Sequence, residues 1–466
     1  MIKVEKVIAQ FYIFCLPLRM IVPLSFLQKY IGGCALSFDV ILHGLGMILW
    51  IVNPHKICLR KEFKQAFAVL FFIVSVFTAA SVFNAAGYHE DFGILYGEDS
   101  FMAIRGQILY WFQYLLIIVY NIRVFRLLDM HQIWKIINIM SYVMLFWGYL
   151  QMAVIVIRND WICRIYDMLA NDIIFLPSTY LLNENRIVLT TTEPAYAGYI
   201  IIRLILPIIL SDVLFRSLSG KIIVQIVLWL PVIYFTKSSN AYILTAVELL
   251  AFTILLINKV IKLKRIRMNL YSAGIALTVV FLLMMMPFWI AKVNFTEVSY
   301  FLLYKITDRT NMSTVWRTVP FYINWEIFKR FPFLGVGNGN QGFFYWEYFP
   351  QWAYELLQGT QTMKWNSGKL TNGLLFFPGI LSGYGILGVV CLVLAVICML
   401  HLMCKYKEKA YREYYFFVIA MAGITINGFS ADFVACYDIW FTVSLPFCLS
   451  EILTAHHQKN RLERGR

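Results

Sequence analysis

Two short segments of this 466-residue chain carry residue types that can bind anionic groups and accept protons. The first runs from Asn185-Arg186 through three threonines to Glu193-Pro194-Ala195-Tyr196-Ala197-Gly198, and leads into an apolar run. Proline suits the first turn of a helix and pushes the residue before it out of the helical region. A helix is therefore expected to start at Pro194, capped by Glu193 or Thr192. Its N-terminus offers free N–H groups and partial positive charge, which favour an anion such as phosphate. Arg186, one loop away, carries the fork for a bidentate contact with the same anion. A plainer reading stays open, in which Glu193 only caps the helix and Arg186 only sits among lipid headgroups.

The second segment is Trp316-Arg317 to Gly339. Residues 316–328 read as an amphipathic helix carrying Arg317 and Trp325, ended by Phe331-Pro332 and followed by Leu334-Gly335-Val336-Gly337-Asn338-Gly339. A glycine-rich turn lets backbone N–H groups approach a ligand closely. It matches neither the dinucleotide-binding nor the P-loop pattern, which argues against a nucleotide. A third candidate, Arg203, lies nine residues past Pro194, about 13 Å along the helix. Arginine inside an apolar run is costly and is a functional candidate by default, with a pyrophosphate or Glu248 as its expected partner. No His, Asp and Glu cluster has metal-ligand spacing, and nine cysteines without a C-x-x-C pair support neither a zinc site nor a disulfide framework.

The elements that must hold these residues are membrane helices. The chain is 60% apolar and 14% charged, which excludes a soluble enzyme, a disordered chain and a fibrous protein. Apolar runs at 7–27, 31–52, 65–84, 107–122, 134–157, 195–215, 221–236, 239–257, 269–290, 373–402, 414–430 and 436–453 predict about 12 transmembrane helices in one membrane domain, 1–466. Arg19 interrupts the first run, and no cleavable signal peptide is expected. The net charge of +14 divides by side. Alternate connecting segments and both ends of the chain hold 24 basic and 8 acidic residues, and the opposite side 14 basic and 16 acidic. Both termini are therefore expected in the cytoplasm, and the basic tracts are a topology signal rather than a nucleic-acid surface. The outer side carries the longer segments 85–106 and 158–194 and a large extracytoplasmic loop, 291–372, dense in aromatic rings suited to sugar faces or to the bilayer interface.

Arg186 with Glu193-Pro194, then Arg317, Trp325 and Pro332-Phe333-Leu334-Gly335-Val336-Gly337-Asn338-Gly339 in one large outer loop, resemble the O-antigen polymerase and ligase superfamily of bacterial membrane glycosyltransferases. The pair Gly385 and Gly388 resembles that family's following span. Ala195 departs from the family's serine. No histidine lies between His131 and His401, whereas the ligase branch carries one before the next span and this chain has Thr371-Asn372 near that place, which favours the polymerase type.

The resemblance implies an all-α, GT-C-like membrane protein of the bacterial inner membrane. It would be a polymerase of oligosaccharide repeat units for O-antigen or capsule. Its substrate would be an undecaprenyl-pyrophosphate-linked oligosaccharide among membrane lipids, with chain-length regulator and flippase proteins as partners and no nucleotide, metal or other cofactor. Arg186 and Arg317 would stabilise the departing pyrophosphate, with Arg203 as a third contact. Glu193 would take the acceptor proton, ahead of Asp308 and Glu326. Trp325, Gly335, Gly337 and Asn338 would line the substrate site. An O-antigen ligase, a lipid-linked oligosaccharide flippase or other transporter, and a purely structural assembly protein are the alternatives. No internal symmetry of the transporter kind is visible.

Overall fold

The computed structural model describes residues 2–18, 38–52, 61–170, 177–191, 193–216, 219–262, 308, 310, 312–357, 375–431 and 436–449. The expected span at 269–290, together with Arg19, Thr192 and Thr371-Asn372, lies outside them.

The first half is built from α1 (Ile2–Cys15), α2 (Phe38–Val52), α3 (Lys61–Phe92), α4 (Ser100–Leu127), α5 (Met130–Ile157), α6 (Asp160–Ala170) and α7 (Ser178–Glu184). Next come α8 (Pro194–Arg216), α9 (Gly220–Phe235) and α10 (Ser239–Lys262). The second half holds α11 (Met312–Arg330), α12 (Gln341–Phe344), α13 (Gln351–Leu357), α14 (Phe376–Lys405), α15 (Tyr411–Asn427) and α16 (Tyr437–Leu449). Among the described residues six helices are long and apolar enough to cross a membrane: α3, α4, α5, α8, α10 and α14. Shorter apolar helices are α2, α9 and α16. The chain is an all-α membrane protein. Lipid offers the backbone no hydrogen-bond partner, and a helix satisfies its own.

Caps, rather than hydropathy, set where these helices end. Asp99 accepts from the Met102 amide at 2.8 Å and starts α4 well before the apolar run at 107–122. Asp129 does the same for α5 through the Gln132 amide at 2.7 Å. The outer segment expected at 85–106 is consequently mostly helix, with only residues 93–99 left to turn between α3 and α4.

Two apolar clusters form the interior. One joins α1, α3, α4, α14 and α16, and the other joins α9 and α10 with the small helices α6 and α7. Helices α5, α8 and α15 contribute to both and bind the halves together. Two buried ion pairs lock helix ends: Arg123 donates to both Glu5 oxygens at 2.7 Å, and Arg412 to Asp212 at 2.8 Å. A third, smaller cluster packs α11, α12 and α13 on one another, so this part of the 291–372 segment has a core of its own.

Candidate functional site

The glycine-rich turn after α11 docks on a broken helix. Helix α14 opens at Gly385, whose φ of 59° and ψ of −148° only glycine adopts readily. The amides of Ile386 and Leu387, freed from helical bonding, donate to the carbonyls of Pro332 (2.8 Å) and Phe333 (3.2 Å). In return the amides of Val336 and Gly337 donate to Ser382 (3.0 Å) and Gly383 (2.8 Å). A Cβ on Gly335 would lie 2.4 Å from the Ser382 carbonyl, and one on Gly339 2.3 Å from that of Ala103. The glycines therefore permit backbone to meet backbone. The expected cradle of free N–H groups is not formed at Gly335 and Gly337, because the chain itself uses those donors. Asn338 joins the same seam: its side chain donates to Gln107 at 3.2 Å and accepts from Gln341 at 2.9 Å.

The seam holds α11 over an open apolar cavity of about 590 Å³, bounded by α3, α4, α14, α15 and α16. Apart from Thr425, its lining is apolar or aromatic. Phe321 and Trp325 line it from α11, each 45% exposed, and Val393 and Ile397 of α14 with Phe429 are exposed as well, so the cavity is open along α14 and at α11. Arg317, Phe321 and Trp325 recur every four residues and share one face. Arg317 thus stands one turn, about 6 Å along the axis, from an aromatic ring that lines the cavity. A partly exposed cation beside an apolar hole is a geometry for an amphiphile with an anionic head.

Arg186 and Glu193 lie on the segment between α7 and α8. Asn185 ends α7 with φ 51°, and Leu189 turns the chain with φ 52°. Gln151 of α5, a residue that sequence reasoning passed over, holds this segment. Its Oε1 accepts from the amides of Val188 (3.1 Å) and Leu189 (2.8 Å), and its Nε2 donates to the Leu189 carbonyl (2.9 Å). A lone glutamine inside an apolar run was the available signal. Glu193 stands at the N-cap position of α8, as expected, but its side chain makes no capping bond and is exposed. Arg186 donates to the carbonyls of Thr236 (3.3 Å) and Lys237 (3.1 Å), and so caps α9. Glu184 is 3.9 Å from it.

Arg203 is buried in a π-helical turn, Ile201–Ile205, and not on a pocket wall. Its guanidinium donates twice to the Asn427 side-chain oxygen, is 3.5 Å from Asp438, and lies over the Tyr199 ring at 4.8 Å. Glu248, its expected partner, makes no hydrogen bond among the described residues. Asn427 and Asp438 are the partners that local sequence reasoning missed, since they lie 224 and 235 residues away.

The structure brings Trp325, Gly335, Gly337 and Asn338 into one assembly with Arg317. Arg186 and Glu193 sit on the segment packed with α5 and α9, and Arg203 is within the helix bundle. Of the weaker proton acceptors, Glu326 pairs with Lys329 at 2.6 Å, and Asp308 accepts from Thr310. In the cluster of α11, α12 and α13, burial pushes the Tyr345 hydroxyl up, so it stays an uncharged ring. The Arg330 guanidinium is held further toward its charged form by the hydrogen bond to Tyr348 first and by Glu347. Among the described residues no three His, Cys, Asp or Glu side chains gather as a metal ion would require. Set beside known proteins, the chain matches no protein-family model and no curated protein.

Proposed function

We propose that this protein is a polymerase of oligosaccharide repeat units for O-antigen or capsular polysaccharide, working on polyprenyl-pyrophosphate-linked glycan at the outer leaflet of a bacterial inner membrane. The observation that carries the proposal is the apolar cavity lined by Phe321 and Trp325, with Arg317 one helical turn before Phe321 on the same helix. A polyprenyl chain is apolar along its length and ends in a pyrophosphate, so it needs such a cavity with a cation at its rim. In this reading the chain has about 12 spans, both termini are cytoplasmic, and residues 291–372 form the outer loop that receives the sugars.

The acceptor hydroxyl forms a new glycosidic bond to the donor's anomeric carbon, while that carbon's bond to the pyrophosphate oxygen breaks. The leaving pyrophosphate gathers negative charge, which Arg317 and Arg186 stabilise. Arg186 exchanges its contacts to the Thr236 and Lys237 carbonyls for the anion as the substrate enters. Glu193, exposed and free of capping work, accepts the acceptor's proton. Arg203 acts as a brace that positions α8.

The test is genetic and chemical. A strain lacking the gene is complemented with wild type, Arg186→Ala, Arg317→Ala or Glu193→Gln, and its surface glycan is resolved on a gel. The expected outcome is single repeat units in place of the wild-type ladder. An unchanged ladder in the deletion strain refutes the proposal, and complete loss of attached glycan points instead to a ligase or flippase.

A further inference from the structure

Glu248 lies on α10 and is fully buried, and among the described residues neither of its carboxyl oxygens has a hydrogen-bond partner. It rests against α15 where Gly423 leaves room: a Cβ at that position would lie 2.5 Å from its Oε1. One turn earlier on α10, the buried Thr245 hydroxyl is likewise unpartnered. The charged and titratable groups of the elements around it are engaged elsewhere or out of reach. Helix α8 brings Tyr196, Tyr199, Arg203, Asp212 and Arg216, and α15 brings Tyr411, Arg412, Glu413, Tyr414 and Tyr415. Helix α9 brings Lys221 and Tyr234, and α10 itself carries Tyr242 and Lys259. Arg203 is committed to Asn427 and Asp438, Arg412 to Asp212, and Lys259 to the Leu214 carbonyl.

A carboxylate without a counter-charge in such surroundings is very costly, and a buried polar group without a partner is rare in a native protein. A single small positive charge removes the first cost, and sharing it with the Thr245 hydroxyl removes the second. We propose that Glu248 is an intramembrane binding site for one small cation, a proton or a sodium ion, with the Thr245 hydroxyl as the neighbouring oxygen ligand. A proton would sit on one carboxyl oxygen. Sodium would take oxygen from Glu248, Thr245 and nearby carbonyls, as hard cations do. The site is separate from the proposed glycan chemistry and stands or falls without it.

An ion that binds only the folded state stabilises it by mass action. Wild type, Glu248→Gln and Thr245→Val are purified in detergent. Thermal unfolding is followed first against pH in sodium-free choline buffer, then against sodium chloride with choline chloride as the control. If the ion is a proton, wild type loses thermal stability as pH rises and choline and sodium are equivalent. If it is sodium, wild type gains stability with sodium at the upper end of that range, and Thr245→Val weakens the gain. In both cases Glu248→Gln, neutral and of the same shape, removes the dependence. A Glu248→Gln variant that tracks wild type in both titrations overturns the proposal. Should that variant not fold, infrared spectra of glutamate-labelled wild type decide. A protonated-carboxyl band that shifts in heavy water, or a carboxylate band that shifts with sodium, sustains the site, and the absence of both overturns it.

Discussion

Replacing Gly385 by alanine tests whether the glycines serve the seam between α14 and the turn after α11. The backbone at φ 59°, ψ −148° is strained for any residue with a Cβ, at roughly 1–3 kcal/mol. The added Cβ would also lie 2.5 Å from the Pro332 carbonyl oxygen, well inside contact distance. That oxygen accepts the Ile386 amide at 2.8 Å, so relieving the clash draws apart the bonds to Pro332 and Phe333. Losing two such bonds between buried chain segments removes about 2 kcal/mol more. The total is roughly 3–5 kcal/mol, a large fraction of the ~5–15 kcal/mol that holds an ordinary domain together. Gly106 in α4 is the matched control, because a Cβ there meets nothing within 4 Å. Alanine at that position is worth up to about 1 kcal/mol of added helix stability. Thermal unfolding in detergent, followed by tryptophan fluorescence, should show Gly385→Ala melting on the order of 5 °C or more below wild type. Gly106→Ala should melt at or above it. A Gly385→Ala midpoint within a degree of wild type, or equal losses in the two variants, would refute the reasoning.

Three other outcomes follow from particular contacts. Gln151→Leu keeps the volume but leaves the buried Val188 and Leu189 amides without an acceptor, at about 2–5 kcal/mol; denaturant midpoints should fall, and protease should cut between residues 185 and 191 sooner than in wild type. Arg203→Ala takes the cation away from the buried Asp438, at about 3–5 kcal/mol, and adding Asp438→Asn should restore part of the loss in the same melt. Trp325→Ala widens the cavity at α11, so the purified variant should retain less co-purifying lipid by mass spectrometry than wild type, with a smaller fall in melting midpoint than a fully buried Trp→Ala because the ring is 45% exposed.

Much of the helical framework was legible in the sequence. Hydrocarbon forces a chain to satisfy its own backbone, so long apolar runs mean helices whatever surrounds them. Pro194 marked the start of α8, Phe331-Pro332 the end of α11, and Arg203 announced itself as a buried charge. Each of these signals is local, written in a few neighbouring residues. The reach of α4 back to Asp99 was also local, but it was hidden by attention to the apolar stretch alone.

Only the tertiary structure decided what those residues touch. A glycine-rich turn can face a ligand or another backbone, and here the broken turn of α14 takes the amides of Val336 and Gly337 while that of Gly335 turns back to Phe331. An arginine before a helix can hold an anion or cap a neighbour, and Arg186 is set against the end of α9 because α5 presents Gln151 to the segment between them. Arg203 finds Asp438 and not Glu248, although both lie in apolar stretches, because α16 and not α10 brings its carboxylate to the guanidinium. Partners more than 200 residues apart are chosen by how helices pack, and packing follows from the whole set of contacts rather than from any spacing along the chain. The sequence alone determined that this chain is a bundle of membrane helices with charges that need partners. The packed structure decided which partners they have, and among the described residues left Glu248 without one.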